Sequence, residues 1–429
     1  MTRMKDSGNP WVREIPSDWF EKKLRYLVEL RGEKSVTTDY KKYVGLENIM
    51  SQTGQYVQTG IEVDLTENLT FEVGDILFGK LRPYLRKYWR AEFSGTASSE
   101  FVIIKGSSLN LNFLFWAIQS DSFINDVDSS TYGSKMPRAS WEYMKNIKLP
   151  FPESIEEQTK IADFLDKKVA QLDKVKSLLE EQIKTLEDYR QSLIYETVTK
   201  GLDKTVPLKD SGVDWIGQIP EGWGITKFKY FLDTNKGLTI TKENLIEDGI
   251  PVINYGQIHS KYGKSVNTDR DELPQVSANY LKFKQSLLKP GDFVFADTSE
   301  DIDGSGNFST RIDDNGELFA GYHTIKAKLK NALEHDFRYF MHYFDSLAFR
   351  KQVQNKVSGI KVYSITQSIL QETCLILPSL YEQQQIATFL DKKTEQINQM
   401  IAIKKEQIEN INKQRQTLIY DVVTGKRRV

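Results

Sequence analysis

A single cysteine, Cys374, stands among 429 residues, which excludes an internal disulfide framework and makes a reducing compartment the expected setting. No apolar run approaches the ~18 residues of a membrane span, and Met1 to Pro10 is polar, without the apolar core of a signal peptide. A soluble, cytoplasmic protein is the expectation. Net charge is nearly absent too: 58 Lys and Arg against 59 Asp and Glu leave −1. Total charge therefore does not announce a nucleic-acid binder, and any basic surface must come from local clustering.

Motifs for chemistry are missing as well. Tyr262-Gly263-Lys264-Ser265 ends like a phosphate-binding loop, but Ile258 stands where that loop needs glycine. Asp301, Asp303, Ser305 and Gly306 begin like a calcium loop, yet its twelfth position is Ile312 instead of a bidentate Glu, so a glycine-rich turn is expected. The four histidines, His259, His323, His335 and His342, make no metal-spaced pair with one another or with Cys374. There is no glycine-rich dinucleotide fingerprint and no Asn-Pro-Pro-Tyr type motif of an amino-methyltransferase. No catalytic or metal-binding residue is assigned, and the chain is expected to bind no cofactor of its own.

What is present is a duplication. Lys5-Asp6-Ser7-Gly8, Trp11, Ile15-Pro16 and Trp19 return as Lys209-Asp210-Ser211-Gly212, Trp215, Ile219-Pro220 and Trp223, shifted by 204 residues. Glu157-Gln158, Ile161-Ala162 and Phe164-Leu165-Asp166-Lys167-Lys168 return as Glu382-Gln383, Ile386-Ala387 and Phe389-Leu390-Asp391-Lys392-Lys393, shifted by 225. The order is head, body, helix, head, body, helix. Such a chain presents two similar surfaces, as a reader of two separated half-sites needs.

From Glu153 to about Lys200 there is neither Gly nor Pro, and Leu165, Leu172, Leu179, Leu186 and Leu193 recur every seven residues. With Lys168, Val175, Gln182 and Tyr189 at the other seam position, the stripe is apolar mainly at one site, widened by Val169 and Ile183. Leu390, Ile397, Ile411 and Leu418 repeat the pattern, with Lys404 breaking it. A helix of ~45 residues is ~65 Å long, and a face this narrow does not hold such a helix alone. The two are expected to pack antiparallel, since a body with neighbouring termini connects them and returns the C-terminus towards the start of the chain.

The bodies read as mixed α/β. Strands are expected at Asp75–Gly79, Phe101–Lys105, Asn146–Leu149, Gly291–Ala296 and Thr324–Leu329, and helices at Leu111–Ser120 and Phe337–Phe349. Gly74-Asp75-Ile76-Leu77-Phe78 parallels Gly291-Asp292-Phe293-Val294-Phe295, and Ile147-Lys148-Leu149-Pro150 parallels Leu375-Ile376-Leu377-Pro378. Between these landmarks the residues diverge.

Two acid-free basic runs stand out. Lys80, Arg82, Arg86, Lys87 and Arg90 interleave with Tyr84, Tyr88 and Trp89, and Arg350, Lys351, Lys356 and Lys361 precede Tyr363. Lys135 and Arg138 occupy the matching stretch of the first body, where Gly133-Ser134-Lys135 aligns with Gly359-Ile360-Lys361. Cations beside aromatics suit phosphate contact with nearby base readout. A solvated face is the plain alternative for any one run, and a matching place in both copies weighs against it. Alternation along Asn254-Tyr255-Gly256-Gln257-Ile258-His259 puts Tyr255, Gln257 and His259 on one face of a strand or loop, where Gln pairs with adenine and His or Tyr reach base edges; a satisfied surface cluster is the alternative. Where the first body is most basic, the second has Asp297, Glu300, Asp301 and Asp303.

The two heads, the two Glu-Gln...Ile-Ala...Phe-Leu-Asp helix starts and the endings Ser192-Leu193-Ile194-Tyr195 and Thr417-Leu418-Ile419-Tyr420 resemble the specificity subunits of Type I restriction-modification systems over nearly the whole chain. The resemblance implies an α+β fold: two mixed α/β target-recognition domains in a pseudo-two-fold arrangement, separated by two long antiparallel coiled-coil helices. The expected boundaries are 1–152 and 203–378 for the recognition domains and 153–202 and 379–429 for the helical spacers. It implies a non-catalytic subunit that recognises bipartite double-stranded DNA and carries two methyltransferase (M) and two restriction/translocase (R) subunits, with S-adenosylmethionine, ATP and Mg on those partners. Glu157, Gln158, Ile161, Phe164, Leu165, Glu382, Gln383, Ile386, Phe389 and Leu390 match the family pattern and carry over as architectural or subunit-contact positions. The DNA-contact set, Lys80, Arg82, Tyr84, Arg86, Lys87, Lys135, Arg138, Tyr255, Gln257, His259, Lys356, Lys361 and Tyr363, rests on the residues alone. A stand-alone DNA-binding regulator and a two-headed protein adaptor are the alternatives.

Overall fold

The computed structural model describes residues 3–9, 11–36, 42–59, 67–133, 135–359 and 361–429. Its contacts divide the chain into two units. The first joins Met1–Glu180 to Lys404–Val429, and the second is the continuous stretch Glu181–Ile403. Each unit contains a head hairpin, a strand pair, a two-sheet body, short helices and segments of both long helices.

In the first unit the head pairs Met4–Asp6 with Glu14–Pro16, and Phe20–Lys23 pairs with Lys148–Phe151. One four-stranded sheet runs Val28–Leu30, Phe101–Ser107, Ile76–Gly79, Tyr88–Arg90; the other runs Lys34–Val36, Glu67–Phe71, Gly95–Ala97, Lys42–Val44. In the second unit the head pairs Leu208–Asp210 with Gln218–Pro220, and Gly224–Lys227 pairs with Cys374–Leu377. Its body has two five-stranded sheets. The expected strands at Phe101, Gly291 and Thr324 form within a few residues of their bounds, the first two because Phe101–Ile104 and Phe293–Ala296 are short buried apolar runs and the third because Ile325, Ala327 and Leu329 alternate with polar residues.

The Gly-Asp turn is built identically in both units. Gly74 and Gly291 have φ of +90° and +83°, a conformation that favours glycine. The following Asp75 and Asp292 each accept a backbone N–H three residues upstream, from Glu72 and Lys289, at 2.9 Å. The other expected strand match shifts. Leu149 opposes Lys22 and Leu375 opposes Thr226, so Pro152, not Pro150, is the counterpart of Pro378. A two-residue slip preserves which face each side chain occupies, so alternation alone does not reveal it.

The region expected as one helix at Phe337–Phe349 is two, Phe337–Asp345 and Leu347–Gln354. Ser346 breaks it with an extended backbone (φ −72°, ψ 155°). The long helices span Ile155–Lys200 and Leu380–Val423. Ser379 and Glu382 start the second with reciprocal hydrogen bonds, a capping box.

The helices are antiparallel within each unit: Asp173 pairs with Arg415 at 3.4 Å in the first, and Arg190 donates to Asn398 at 2.6 Å in the second. The seam differs from the sequence expectation. Lys168, Val175, Gln182 and Tyr189 are exposed, whereas Val169 and Thr197 are buried and Lys176, Ile183 and Arg190 half-buried. The second seam position lies four residues after each heptad leucine instead of three. Long polar side chains cover it with their aliphatic stems, which hid it from the apolar count.

Candidate nucleic-acid interface

Backbone hydrogen bonds fix the same three anchor positions in the loops of the two units. Lys80 N donates to Glu100 O and Ala139 N to Lys80 O; Asp297 N donates to His323 O and Ile365 N to Asp297 O. Leu81 bridges Arg138, as Thr298 pairs with Ser364. Lys80, Glu100 and Arg138 thus correspond to Asp297, His323 and Ser364. The same backbone presents a net positive trio in one unit and none in the other.

In the first unit this loop crosses Pro83–Leu85, flanked by Arg82 and Arg86 with φ of +50° and +56°. Left-handed backbone at two non-glycine residues costs about 1 kcal/mol or more each and is typical of functional loops. The turn holds Tyr84 50% exposed. Arg82 donates to Lys135 O at 3.1 Å, and Lys135 is itself exposed. Arg138 forks onto Glu100 at 3.0 and 3.2 Å, and the carboxylate raises the arginine's pKa. Burial pushes the Lys80 pKa down, with Glu100 opposing and Arg138 reinforcing.

Two cations of the same run face inward. Arg86 pairs with Asp121 at 2.6 Å and donates to Gln416 at 3.2 Å, with a side chain only 15% exposed. Lys87 donates to the carbonyls of Leu46 and Ile49 at 2.7 and 2.8 Å. Their ammonium and guanidinium groups hold the body together and clamp it to the second long helix.

In the second unit the segment expected as a strand or loop is a helix, Tyr255–Ser260. Helical spacing puts Tyr255 and His259 on one face and turns Gln257 away, where its Oε1 accepts Asn254 N at 3.0 Å in a capping box. Asn254 and Gln257 read as polar surface in sequence but form a local cap. His259 contacts Thr298 O at 2.8 Å and Asn307 at 2.9 Å. A cavity of about 840 Å³ opens beside it, lined among others by Tyr255, Asp301, His323 and Arg350. His323 has φ +54° and pairs with Asp297 at 3.1 Å. Arg350 donates to Asp303 O and Asn307 at 2.5 and 2.7 Å, and burial lowers its pKa. Lys356 donates to Glu372 O, Lys361 is exposed, and Tyr363 lies in the short strand beside Thr298–Ser299. Ser134 and Ile360 of the matching loops lie outside the described residues. Among the described residues no His, Cys, Asp or Glu cluster could hold a metal ion.

Sequence reasoning missed Asn307 and His323, which are isolated in sequence and meet His259 and Asp297 only through strand pairing. It also left the repeated helix residues without individual roles. Gln158 accepts Asn110 N at 2.8 Å and donates to Pro152 O at 2.8 Å; Gln383 does the same with Asp336 N and Pro378 O, at 3.0 and 2.9 Å. Both glutamines are buried, as are Ile161, Leu165, Ile386 and Leu390. Asp166 accepts the Trp116 indole N–H and Asp391 contacts His342, each at 2.8 Å. Glu157 pairs with Arg428 at 2.5 Å and Glu382 accepts the Trp223 indole N–H at 2.9 Å. Phe164 and Phe389 are half-buried against the cores. This block fastens each long helix to its own body.

Among the described residues no helix is long and apolar enough to cross a membrane. The sequence matches the family model described as Type I restriction modification DNA specificity domain at residues 16–187 and 220–411. It is 24% identical over 435 residues to the Type I restriction enzyme MjaVIII specificity subunit of Methanocaldococcus jannaschii, covering 97% of this chain and 94% of that one. With the EcoDI specificity subunit of Escherichia coli it shares 23% over 198 residues, 44% of each chain. The fold is similar to a chain from a type I R-M system solved for its complex assembly and conformational transition (18% identity, TM-score 0.72, 95% of this chain and 98% of that one). It is also similar to the HsdS subunit from Thermoanaerobacter tengcongensis (18% identity, TM-score 0.51, 96% and 98%). Two family segments, each carrying its own body and helix on the same backbone plan, make this chain a member of the Type I restriction-modification DNA specificity family, a specificity subunit with two recognition domains.

Proposed function

We propose that each unit reads one half of a bipartite double-stranded DNA target, with the two long helices setting the number of unread base pairs between the halves. Two methyltransferase and two restriction/translocase subunits assemble on this chain in the cytoplasm and bring S-adenosylmethionine, ATP and Mg. The complex is a site-specific deoxyribonuclease and an adenine-specific DNA methyltransferase, and this chain contributes recognition. The observation that carries the reading is the loop correspondence: one backbone presents Lys80, Glu100 and Arg138 in the first unit and Asp297, His323 and Ser364 in the second. A scaffold kept while its presented groups change is what two different half-sites require.

The test is co-expression with the neighbouring methyltransferase gene in a host lacking adenine methylation, followed by single-molecule mapping of methylated adenines. One bipartite motif with a fixed gap is expected. Tight DNA binding by the chain alone, without methylation, would favour a regulator, and absence of any complex would favour a protein adaptor. Removing one heptad from each long helix is expected to change the gap and leave both half-sites intact; new half-sites with an unchanged gap would defeat the spacer assignment.

A further inference from the structure

The duplication supplies an internal comparison: a residue kept in both units is either required by the fold or required by something both units meet. Most kept head residues have an internal reason. Lys5 and Lys209 donate to main-chain carbonyls across their hairpins. Asp6 and Asp210 accept the N–H of Gly8 and Gly212 at 2.8 and 3.0 Å, and both glycines have positive φ. Ile15, Trp19, Ile219 and Trp223 are core residues. Tyr420 and Tyr195 donate to the carbonyls of Val12 and Ile216, each at 3.2 Å.

Trp11 and Trp215 have no such reason. Each is 41% exposed at the same point of its hairpin turn. Neither indole makes a hydrogen bond, ring contact or cation contact among the described residues. The kept lysine pairs Lys167-Lys168 and Lys392-Lys393 are also exposed, but lysine on a solvated helix face needs no partner, whereas exposed tryptophan is a costly residue to keep twice. The kept Tyr26 and Tyr230 stay 69% and 68% exposed, but each ring has a cation beside it, Arg25 at 5.8 Å and Lys229 at 5.4 Å.

We infer that Trp11 and Trp215 are matched anchors for two copies of one protein partner, which on the functional reading above is the methyltransferase subunit. Different half-sites do not explain an identical residue, while two copies of one subunit do. The local charge gives no net positive field for DNA phosphates: around the first turn Asp6, Glu14 and Asp126 balance Arg13, Lys148 and Lys426, and Asp210 and Asp214 precede Trp215 with no cation up to Gln218. Beside Trp11 a recess of about 370 Å³ is lined by Asn9, Asp126, Tyr143, Asn146 and Lys148. An indole ridge next to a polar hollow suits a protein hot spot, where tryptophan is enriched.

The experiment co-expresses the methyltransferase subunit with the full chain carrying Trp11→Ala, Trp215→Ala or both, and reads the mass of the complex by light scattering over a dilution series. Wild type is expected to hold two copies. Each single variant is expected to keep one and release the other about 30-fold more readily, and the double variant to release both. Unchanged melting of the free variants separates lost docking from lost folding. Two copies held with wild-type affinity by the double variant would overturn the inference, as would reduced DNA affinity with both copies retained, which assigns the indoles to DNA. Wild type that holds no methyltransferase would instead remove the functional reading on which the inference rests.

Discussion

Arg82 and Arg86 lie four positions apart with the same left-handed backbone, yet one faces the loop surface and the other points into the body. Their substitutions are expected to separate. Arg82→Ala should weaken DNA binding and lower the salt slope of the affinity by about 1, the signature of one lost phosphate contact. Arg86→Ala should instead destabilise the first unit by about 1–3 kcal/mol, because Asp121 and Gln416 lose a shared donor; urea unfolding measures it. A third single-residue effect concerns acid. Hydrogen bonds from Lys227 and Lys229 hold the Glu372 carboxylate down to about 2 from an ordinary 4.5. A depressed carboxylate stabilises the fold above the unfolded value and loses that effect as pH falls through the folded one. Glu372→Gln should therefore flatten the acid limb of second-unit stability between pH of about 4.5 and 2. The corresponding position of the first unit is Asn146, and no such limb is expected from it.

At the scale of elements, the long helices show what periodicity reveals. Leu165 to Leu193 were legible because a seven-residue leucine repeat has no other economical reading. The companion position was not, because Lys176, Arg190 and Thr197 are polar while exposed Val175 is apolar. Composition pointed to the wrong face. Buried Arg415 forms an ion pair with Asp173 between the long helices of the first unit. Asp173→Ala is expected to cost about 1–3 kcal/mol by leaving the guanidinium uncompensated, whereas Asp173→Leu with Arg415→Leu should be near neutral. A double-mutant cycle in urea checks this, and a double variant as unstable as the single one would contradict it. In the candidate interface, the loop that carries Lys80 and Arg82 stands out in sequence as an acid-free basic run, and Lys135 through its alignment with Lys361. Tyr255–Ser260 was not, because a helix of six residues has too few positions to show a period, and Gln257, which looked like a base reader, closes its first turn.

At the scale of the whole molecule, the head of each unit docks on the end of a long helix, and for the first unit that helix is the last in the chain. Tyr420 reaches Val12, Gly425 turns with φ +73° against Pro16 and Trp19, and Arg428 bridges Asp18 and Glu157 at 2.6 and 2.5 Å. Removing Arg428 and Val429 is expected to lower the melting of the first unit, by about 1 kcal/mol for exposed pairs of this kind, and to leave the second unit unchanged. Calorimetry resolving the two transitions measures it. The same closure fixes an order of events during synthesis. The second unit is one continuous stretch and is complete in sequence once Ile403 has been added, whereas the first still lacks Lys404–Val429 at that point. At about 5–20 residues per second, the half encoded first spends many seconds with its helix seam open, and the half encoded second is the first able to finish folding.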